Sequence, residues 1–440
     1  MRRLLSALRH PISQNAIALY GVQFATYIVP LVTLPYVARV LNESGFGLVV
    51  FAQGFSFLLG LVITYSFDLT ATREVAAKRN ETGVLGGIAA RVLGGKLLLA
   101  VVALVVALGA LLVVPKLRAN PDLLGLALLA ALATGLNPGW FFVGIERLRL
   151  VALVQLGSRV LSAGLTFVFV TSADDAWVIL ALYAGASLLA SGIGHWLMYR
   201  RIPRVRPRIA GSLTAIRQGW LLFVGTGAFT LYTSANVVVL GLFVSSAQVA
   251  HFGAAERIVR ASSQVLGPAA TVVFPRLAYL QASDEATRAR RLGLISVVVF
   301  GAIGGTAALA LAILAPVIIP LVFGPEFDEA IVLLRILGLL VFLSAVANAL
   351  VQWMFSLHMD QAVVRIVIAA GVSNLALALV LVPRFGPVGM ACSVLVAEVV
   401  AVLGCVRAIR RNDATSESGL LSEVRMARRS RPVTTESGDQ

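Results

Sequence analysis

Residues 97–114 read LLLAVVALVVALGALLVV, eighteen positions without a charge. A hydrocarbon core of about 30 Å takes roughly 20 apolar residues per helix, and only helices or closed barrels satisfy their own backbone there. Runs of this kind recur along the whole chain, whereas the alternating segments of about 10 residues that mark an outer-membrane barrel do not. Only 13% of the 440 residues are charged and 59% are apolar, where soluble domains hold about 25% charged residues. The chain is predicted to be an all-α integral membrane protein.

Twelve spans are expected, at about 14–40, 46–68, 84–114, 122–143, 148–171, 176–200, 217–243, 248–275, 292–323, 329–357, 361–382 and 387–408. NESG, KLRANPD, TSADD, FGPEFDE and RFGP separate them on one side. TREVAAKRNETG, GIERLR, RRIPRVRPR and ASDEATRARR do so on the other, and most of the arginines fall in this second set. The positive-inside rule then places both termini in the cytoplasm. The net charge of +15 follows from this topology and from attraction to anionic lipid, so nucleic acid is not needed as a partner. The opening MRRLLSALRHPISQ lacks a cleavage site and reads as a short segment on the inner membrane surface.

The expected organisation is an interfacial segment (1–13), a six-helix lobe (14–200), a basic linker (201–216), a second six-helix lobe (217–410) and a disordered tail (411–440). An internal repeat supports two lobes. NPGWFFVGIERLR can be laid on LVQWMFSLHMDQA with Trp140 over Trp353, and FGLVVFAQ on VAHFGAAE with Gln53 over Glu256. Six spans per half make the repeat parallel, about an axis along the membrane normal. A central cavity between the halves is where such folds bind.

Span 8 carries FGAAERIVRA, residues 252–261. Glu256, Arg257 and Arg260 lie roughly 10–17 Å along this helix, near the midplane, at 1.5 Å rise per residue. An unpaired charge there costs about 2.5–3.5 kcal/mol, so these side chains must face water, ligand or partners. A Glu256–Arg260 pair at i, i+4 could be purely structural, but one carboxylate cannot neutralise two guanidiniums. Polar residues also recur at helical spacing on span 1 (Gln23, Tyr27), span 2 (Gln53, Thr64, Asp68) and span 7 (Thr226, Thr230, Thr233, Asn236). Together with span 8 they point to one shared cavity.

Other charges divide between function and structure. Arg159, Arg335 and Glu398 lie inside spans 5, 10 and 12, with inter-helix pairing and function both open. Asp68 and Arg73 close the inner end of span 2 as an ion pair or a gate. Arg91 and Lys96, on an overlong span 3, are expected to snorkel. His195 and His251 stand alone at helix ends, and Cys392 and Cys405 share one apolar segment without metal or disulfide spacing. No Walker A sequence is present, because LGGKLLL lacks its spacing. No cofactor or metal is expected.

LPYVARVLNESGFGLVVFAQ, YSFDLTATREVA, GWFFVGIERLR, LYTSANVVVLG and HFGAAERIVRA, in this order, resemble the Wzx-type oligosaccharide flippases of the multidrug/oligosaccharidyl-lipid/polysaccharide (MOP) exporter superfamily. The resemblance implies twelve helices in two lobes that carry undecaprenyl-pyrophosphate-linked oligosaccharide across the bacterial cytoplasmic membrane, with no enzymatic step. It places Glu256, Arg257 and Arg260 in the family's charged helix-8 block, and Arg39, Asp68, Arg73 and Asn236 in the other blocks. LNESG stands where a glycine-proline pair is expected. A polysaccharide polymerase or glycosyltransferases are candidate partners. The alternatives are a flippase for a lipid-linked peptidoglycan precursor and a small-molecule exporter of the same superfamily. A membrane glycosyltransferase would need carboxylates or histidines presented together at one membrane face, usually on a sizeable loop; the outer loops are all short, and no Asp/Glu/His constellation faces them.

Overall fold

The computed structural model describes the backbone of residues 11–264, 267–283 and 285–429, and side chains between 32 and 412 outside a few short gaps. The helices are α1 (Pro11–Thr64), α2 (Phe67–Ala77), α3 (Thr82–Val113), α4 (Pro115–Arg118), α5 (Pro121–Gly135), α6 (Gly139–Gly144), α7 (Leu148–Phe169) and α8 (Ala176–Tyr199). The second half adds α9 (Ile209–Ser234), α10 (Asn236–Gly241), α11 (Ser246–Gln264), α12 (Gly267–Ala282), α13 (Ala286–Phe323), α14 (Glu329–Ser356) and α15 (Asp360–Arg429). These form twelve transmembrane helices, because α1 and α15 each hold two spans joined at a kink, while α5–α6, α9–α10 and α11–α12 are each one broken span. By length and hydropathy alone, eight stretches among the described residues qualify as membrane-crossing.

The kinks have chemical causes. Asn42, at φ 56°, turns α1 back on itself. Asparagine tolerates the left-handed region, and its Oδ1 accepts the Gly45 N–H at 3.2 Å. Asn42 thus makes the turn within the LNESG block without a glycine-proline pair. Gly386, at φ 54° between Pro383 and Pro387, does the same for α15. In the TSADD turn, Asp175 accepts the Thr171 and Ser172 backbone N–H groups at 2.8 and 2.7 Å. Those bonds hold its carboxyl below the usual carboxylate range.

Two expectations need correction. TREVAAKRNETG reads as a loop, but residues 67–77 continue as α2 after a turn at Tyr65 (φ 55°), and the break follows at Lys78. Lys96 does not snorkel. It is 1% exposed, and its ammonium donates to the carbonyls of Gly135 at 2.8 Å and Asn137 at 3.3 Å. The NPG break in span 4 leaves those carbonyls without helical partners, and Lys96 caps them. Its Nζ also lies 3.9 Å from Asp68 Oδ1.

The apolar core is distributed unevenly along the bundle. At the arginine-rich end each half keeps its own cluster, one around Tyr65, Phe67 and Trp140, the other around Leu277, Leu350 and Trp353. Trp140 and Trp353, paired in the repeat, therefore hold corresponding places in separate lobes. At the opposite end one continuous cluster takes residues from both lobes, including Leu41, Phe46, Val170, Phe252, Phe327 and Met390. The lobes share a core at that end, while at the arginine-rich end α9 leans on the first lobe's cluster, with Phe223 stacked on Tyr65 and the Tyr65 hydroxyl donating to the Ile216 carbonyl at 3.1 Å.

Candidate functional site: a charged cavity between the lobes

Glycines permit the fusion. A Cβ on Gly47 would lie 1.8 Å from the Ser246 carbonyl oxygen, and one on Gly253 would lie 2.7 Å from Val50. The second span of α1 thus crosses α11 at backbone contact. Around the crossing, Lys116 Nζ donates to the carbonyls of Gly241 and Val244, both at 3.0 Å. Arg39 donates to the Leu321 carbonyl at 2.6 Å. Phe46 packs edge-on against Phe323 and Phe327. His251, 4% exposed, has Nε2 3.2 Å from Glu43 and Nδ1 3.0 Å from Glu329. A histidine that stood alone in the sequence is bridged by carboxylates from both lobes.

Below this joint a cavity of about 970 Å³ separates the lobes and reaches Asp68 and Trp140 at the arginine-rich end. Gln53, Asp68, Arg159, Glu256, Arg257 and Arg260 all line it. Arg260 Nη2 donates to Glu256 at 2.9 Å and to the Thr233 carbonyl at 2.6 Å. The structural i, i+4 pair therefore exists and uses up the local carboxylate. Arg257 Nη2 donates instead to Gln53 Oε1 at 2.8 Å, and its guanidinium lies 5.2 Å from the Phe46 ring centroid. Among the described residues no carboxylate lies within ion-pair distance of Arg257. Its direct contacts are a neutral amide and an aromatic face, with the Glu256 carboxylate acting on it only from beyond ion-pair distance.

The remaining sequence candidates lie elsewhere. Asn236 is 4% exposed and accepts from Asn374 Nδ2 at 2.9 Å, tying the α10 segment to α15. Glu398 accepts from Ser344 Oγ at 2.8 Å. Arg335 donates to the Ala312 carbonyl at 3.3 Å. Arg39 belongs to the joint, Arg73 is exposed on α2, and the Gln23 side chain lies outside the described residues. The hydroxyls of Thr226, Thr230 and Thr233 bond to carbonyls of their own helix. Arg91 pairs with Glu74 at the arginine-rich end.

Sequence reasoning passed over the opposite wall. Asn137, Gln155, Ser158, Ser162 and Tyr183 line the cavity from α5–α6, α7 and α8. The signal was present as Gln155, Ser158, Arg159, Ser162 and Thr166, one helical stripe in an otherwise apolar span.

A family profile described as polysaccharide biosynthesis protein matches residues 12–281. A protein of Escherichia coli (strain K12), provisionally named an O-antigen transporter, is 27% identical over 406 residues, covering 91% of this chain and 97% of that one. A protein of the same provisional name from Shigella dysenteriae is 27% identical over 411 residues, covering 90% and 100%. The fold matches an inward-facing multidrug resistance MATE family transporter of the MOP superfamily with a TM-score of 0.65 at 15% identity, covering 88% of this chain and 96% of that one. It matches the lipid II flippase MurJ, in an inward closed conformation, with a TM-score of 0.66 at 13% identity, covering 90% and 87%. With this profile match over more than half of its length, on a fold shared with these transporters, the chain belongs to the polysaccharide biosynthesis protein family.

Proposed function

We propose that this chain turns undecaprenyl-pyrophosphate-linked oligosaccharide across the bacterial cytoplasmic membrane by alternating access. The observation that carries the reading is Arg257, whose guanidinium meets the cavity opposite an amide and no carboxylate. Guanidinium offers bidentate hydrogen bonds to phosphate oxygens and keeps its charge in apolar surroundings. Three arginines against two carboxylates line the cavity, which suits a diphosphate and suits a cationic drug poorly. Leu34, Arg257 and Ala261 also border an apolar slot that continues along Ile258, Ile318, Val322 and Phe323. A headgroup held at Arg257 would therefore have an apolar path for its lipid chain beside it.

In this reading the arginine-rich end and both termini are cytoplasmic, with lobes at 14–200 and 217–410 joined by the 201–216 linker. The joint around His251 is the closed outer gate, and the headgroup enters near Asp68. Arg257 and Arg260 bind phosphate, with Gln53, Gln23 and Asn236 as further cavity or lobe contacts. Glu256 holds Arg260 while the carrier returns empty. Asp68, Arg73, Arg39 and Glu398 are gating or coupling candidates.

The test deletes the gene and follows lipid-linked oligosaccharide in the inner membrane. Loss of surface polysaccharide with accumulation of the lipid-linked unit, restored by wild-type chain and not by Arg257→Ala, is expected. Unchanged polysaccharide, or arrest of cell-wall synthesis in its place, would overturn the reading. Cysteine labelling should find residues 200–217 accessible from the cytoplasm and 171–176 from outside.

A further inference from the structure

The two walls of the cavity differ in their polar groups, although the first lobe also contributes Asp68 and Arg159 and the second also contributes Ser234 and Gln264. The wall from the second lobe carries the charged block Glu256, Arg257 and Arg260. The first-lobe wall, built from α5–α8, carries neutral amides and hydroxyls, with Arg159 as its one cation among the described lining residues.

The α7 stripe faces inward by design of its sequence. Leu153, Val160, Leu161 and Val168, on its other faces, are exposed where lipid covers the bundle. Membrane hydroxyls often only bond back to their own helix, and Thr166 does so, to the Ser162 carbonyl at 2.9 Å. Gln155 and Tyr183 do not fit that pattern. Among the described residues the Gln155 amide and the Tyr183 hydroxyl make no hydrogen bond, although both line the cavity. Asn137 spends its Oδ1 on the Gly139 N–H at 2.9 Å, and its NH₂ donates to no described residue. These donors and acceptors are held on rigid helices with their partners missing from the protein. Planar amides and phenolic hydroxyls match the paired donors and acceptors of a polyol. They carry no charge that would compete with the guanidiniums opposite.

We infer that the first-lobe wall of Asn137, Gln155, Ser158, Ser162 and Tyr183 is a sugar-binding subsite that reads the oligosaccharide portion of the substrate. It rests on the function proposed above, with the diphosphate at Arg257 and the glycan reaching across the cavity. Recognition is split, so charge gives general affinity for any polyprenyl diphosphate. The uncharged amides and hydroxyls of the first-lobe wall set which glycan is carried. A site built to hydrogen-bond hydroxyls discriminates strongly, because its polar groups stay unpaired when the wrong ligand enters.

The test measures binding to the full chain in lipid nanodiscs with two probes. One is undecaprenyl pyrophosphate. The other is the lipid-linked oligosaccharide extracted from a polymerase-deficient strain of the source organism. Wild type should bind both, the second more tightly. Gln155→Leu combined with Tyr183→Phe should weaken the oligosaccharide probe about tenfold, as expected for losing a few hydrogen bonds. Binding of undecaprenyl pyrophosphate should stay within about twofold, which also shows that the variant is folded. Arg257→Gln should weaken both probes. Equal loss of both probes in the Gln155/Tyr183 variant, or no loss of either, overturns the sugar subsite while leaving the flippase reading intact. Failure of wild type to bind either probe overturns both.

Discussion

Arg257 on α11 and Gln53 on the second span of α1 are joined across the two lobes by a 2.8 Å hydrogen bond. The repeat places Gln53 over Glu256, so the first lobe offers an amide where the second offers a carboxylate. The substitution Gln53→Glu restores the carboxylate and would convert the bond into an ion pair. That pair would neutralise the guanidinium and tie the lobes together. Export in Gln53→Glu is expected to fall at least about tenfold, since charged pairs strengthen such bonds by roughly twofold over neutral ones. Gln53→Ala should retain most activity. Surface polysaccharide in a deletion strain, normalised to protein in the membrane, measures both. Wild-type export in Gln53→Glu would show that the free charge of Arg257 is not needed.

Arg260 and Glu256 require a different expectation from Arg257. Their 2.9 Å pair lies on the cavity wall, and removing one partner strands the other. Arg260→Ala should abolish export, partly through the exposed negative charge left on Glu256. Adding Glu256→Gln should recover some of it, so that the double variant exports more than Arg260→Ala alone. Non-additivity of this kind is the signature of a coupled pair. Arg206→Ala, in the basic linker, should export normally. Strict additivity in the two substitutions would mean the pair does not act as a unit.

Much of the fold was legible in the letters. Span number and the two-lobe repeat followed from hydropathy, and the helix-8 charges from their cost in lipid. What escaped depended on partners far away in sequence. Lys96 reads as a snorkelling residue until the broken span 4 supplies carbonyls at Gly135 and Asn137. His251 reads as a lone histidine until Glu43 and Glu329 close on it. Asn236 looked like a cavity residue because span 7 has polar positions at helical spacing, but the break at Ala235 directs it to Asn374. The α7 stripe is present in the sequence at helical spacing, but neutral amides and hydroxyls cost far less in lipid than the charge of Arg159 and so give a weaker signal.

Gly47 offers a direct test of the closed joint. A methyl group there would meet the Ser246 backbone oxygen, which cannot move without shifting the start of α11. Overpacking of this kind costs about 1–3 kcal/mol, or roughly a tenfold or greater shift between two states. Gly47→Ala should therefore depopulate the state closed at this end. With Leu34→Cys in the cavity wall as reporter, labelling by a membrane-impermeant thiol reagent from outside should rise about tenfold. Export should drop, since one half of the cycle becomes unfavourable. If labelling stays at the wild-type rate in a well-folded Gly47→Ala protein, the Gly47–Ser246 crossing does not govern access.

The joint should also respond to pH through Lys116. Its ammonium is inserted between the lobes against the carbonyls of Gly241 and Val244, and burial pushes it down from 10.5 to about 8. When the lobes part, water reaches the ammonium and its ordinary value returns. Between about pH 8 and 10.5 the closed joint therefore holds fewer protons than the open one. By linkage, closure is favoured as pH rises through that window and is unaffected by this group below it. Spin labels placed on either side of the joint should report more of the short distance at about pH 9.5 than at about pH 7.5, on either side of the Lys116 value of about 8. Lys116→Met, which keeps the length of the side chain and removes its charge, should lose that response and remain closed at both pH values. A response that persists unchanged in Lys116→Met would assign the titration to another group and leave Lys116 as a tether only.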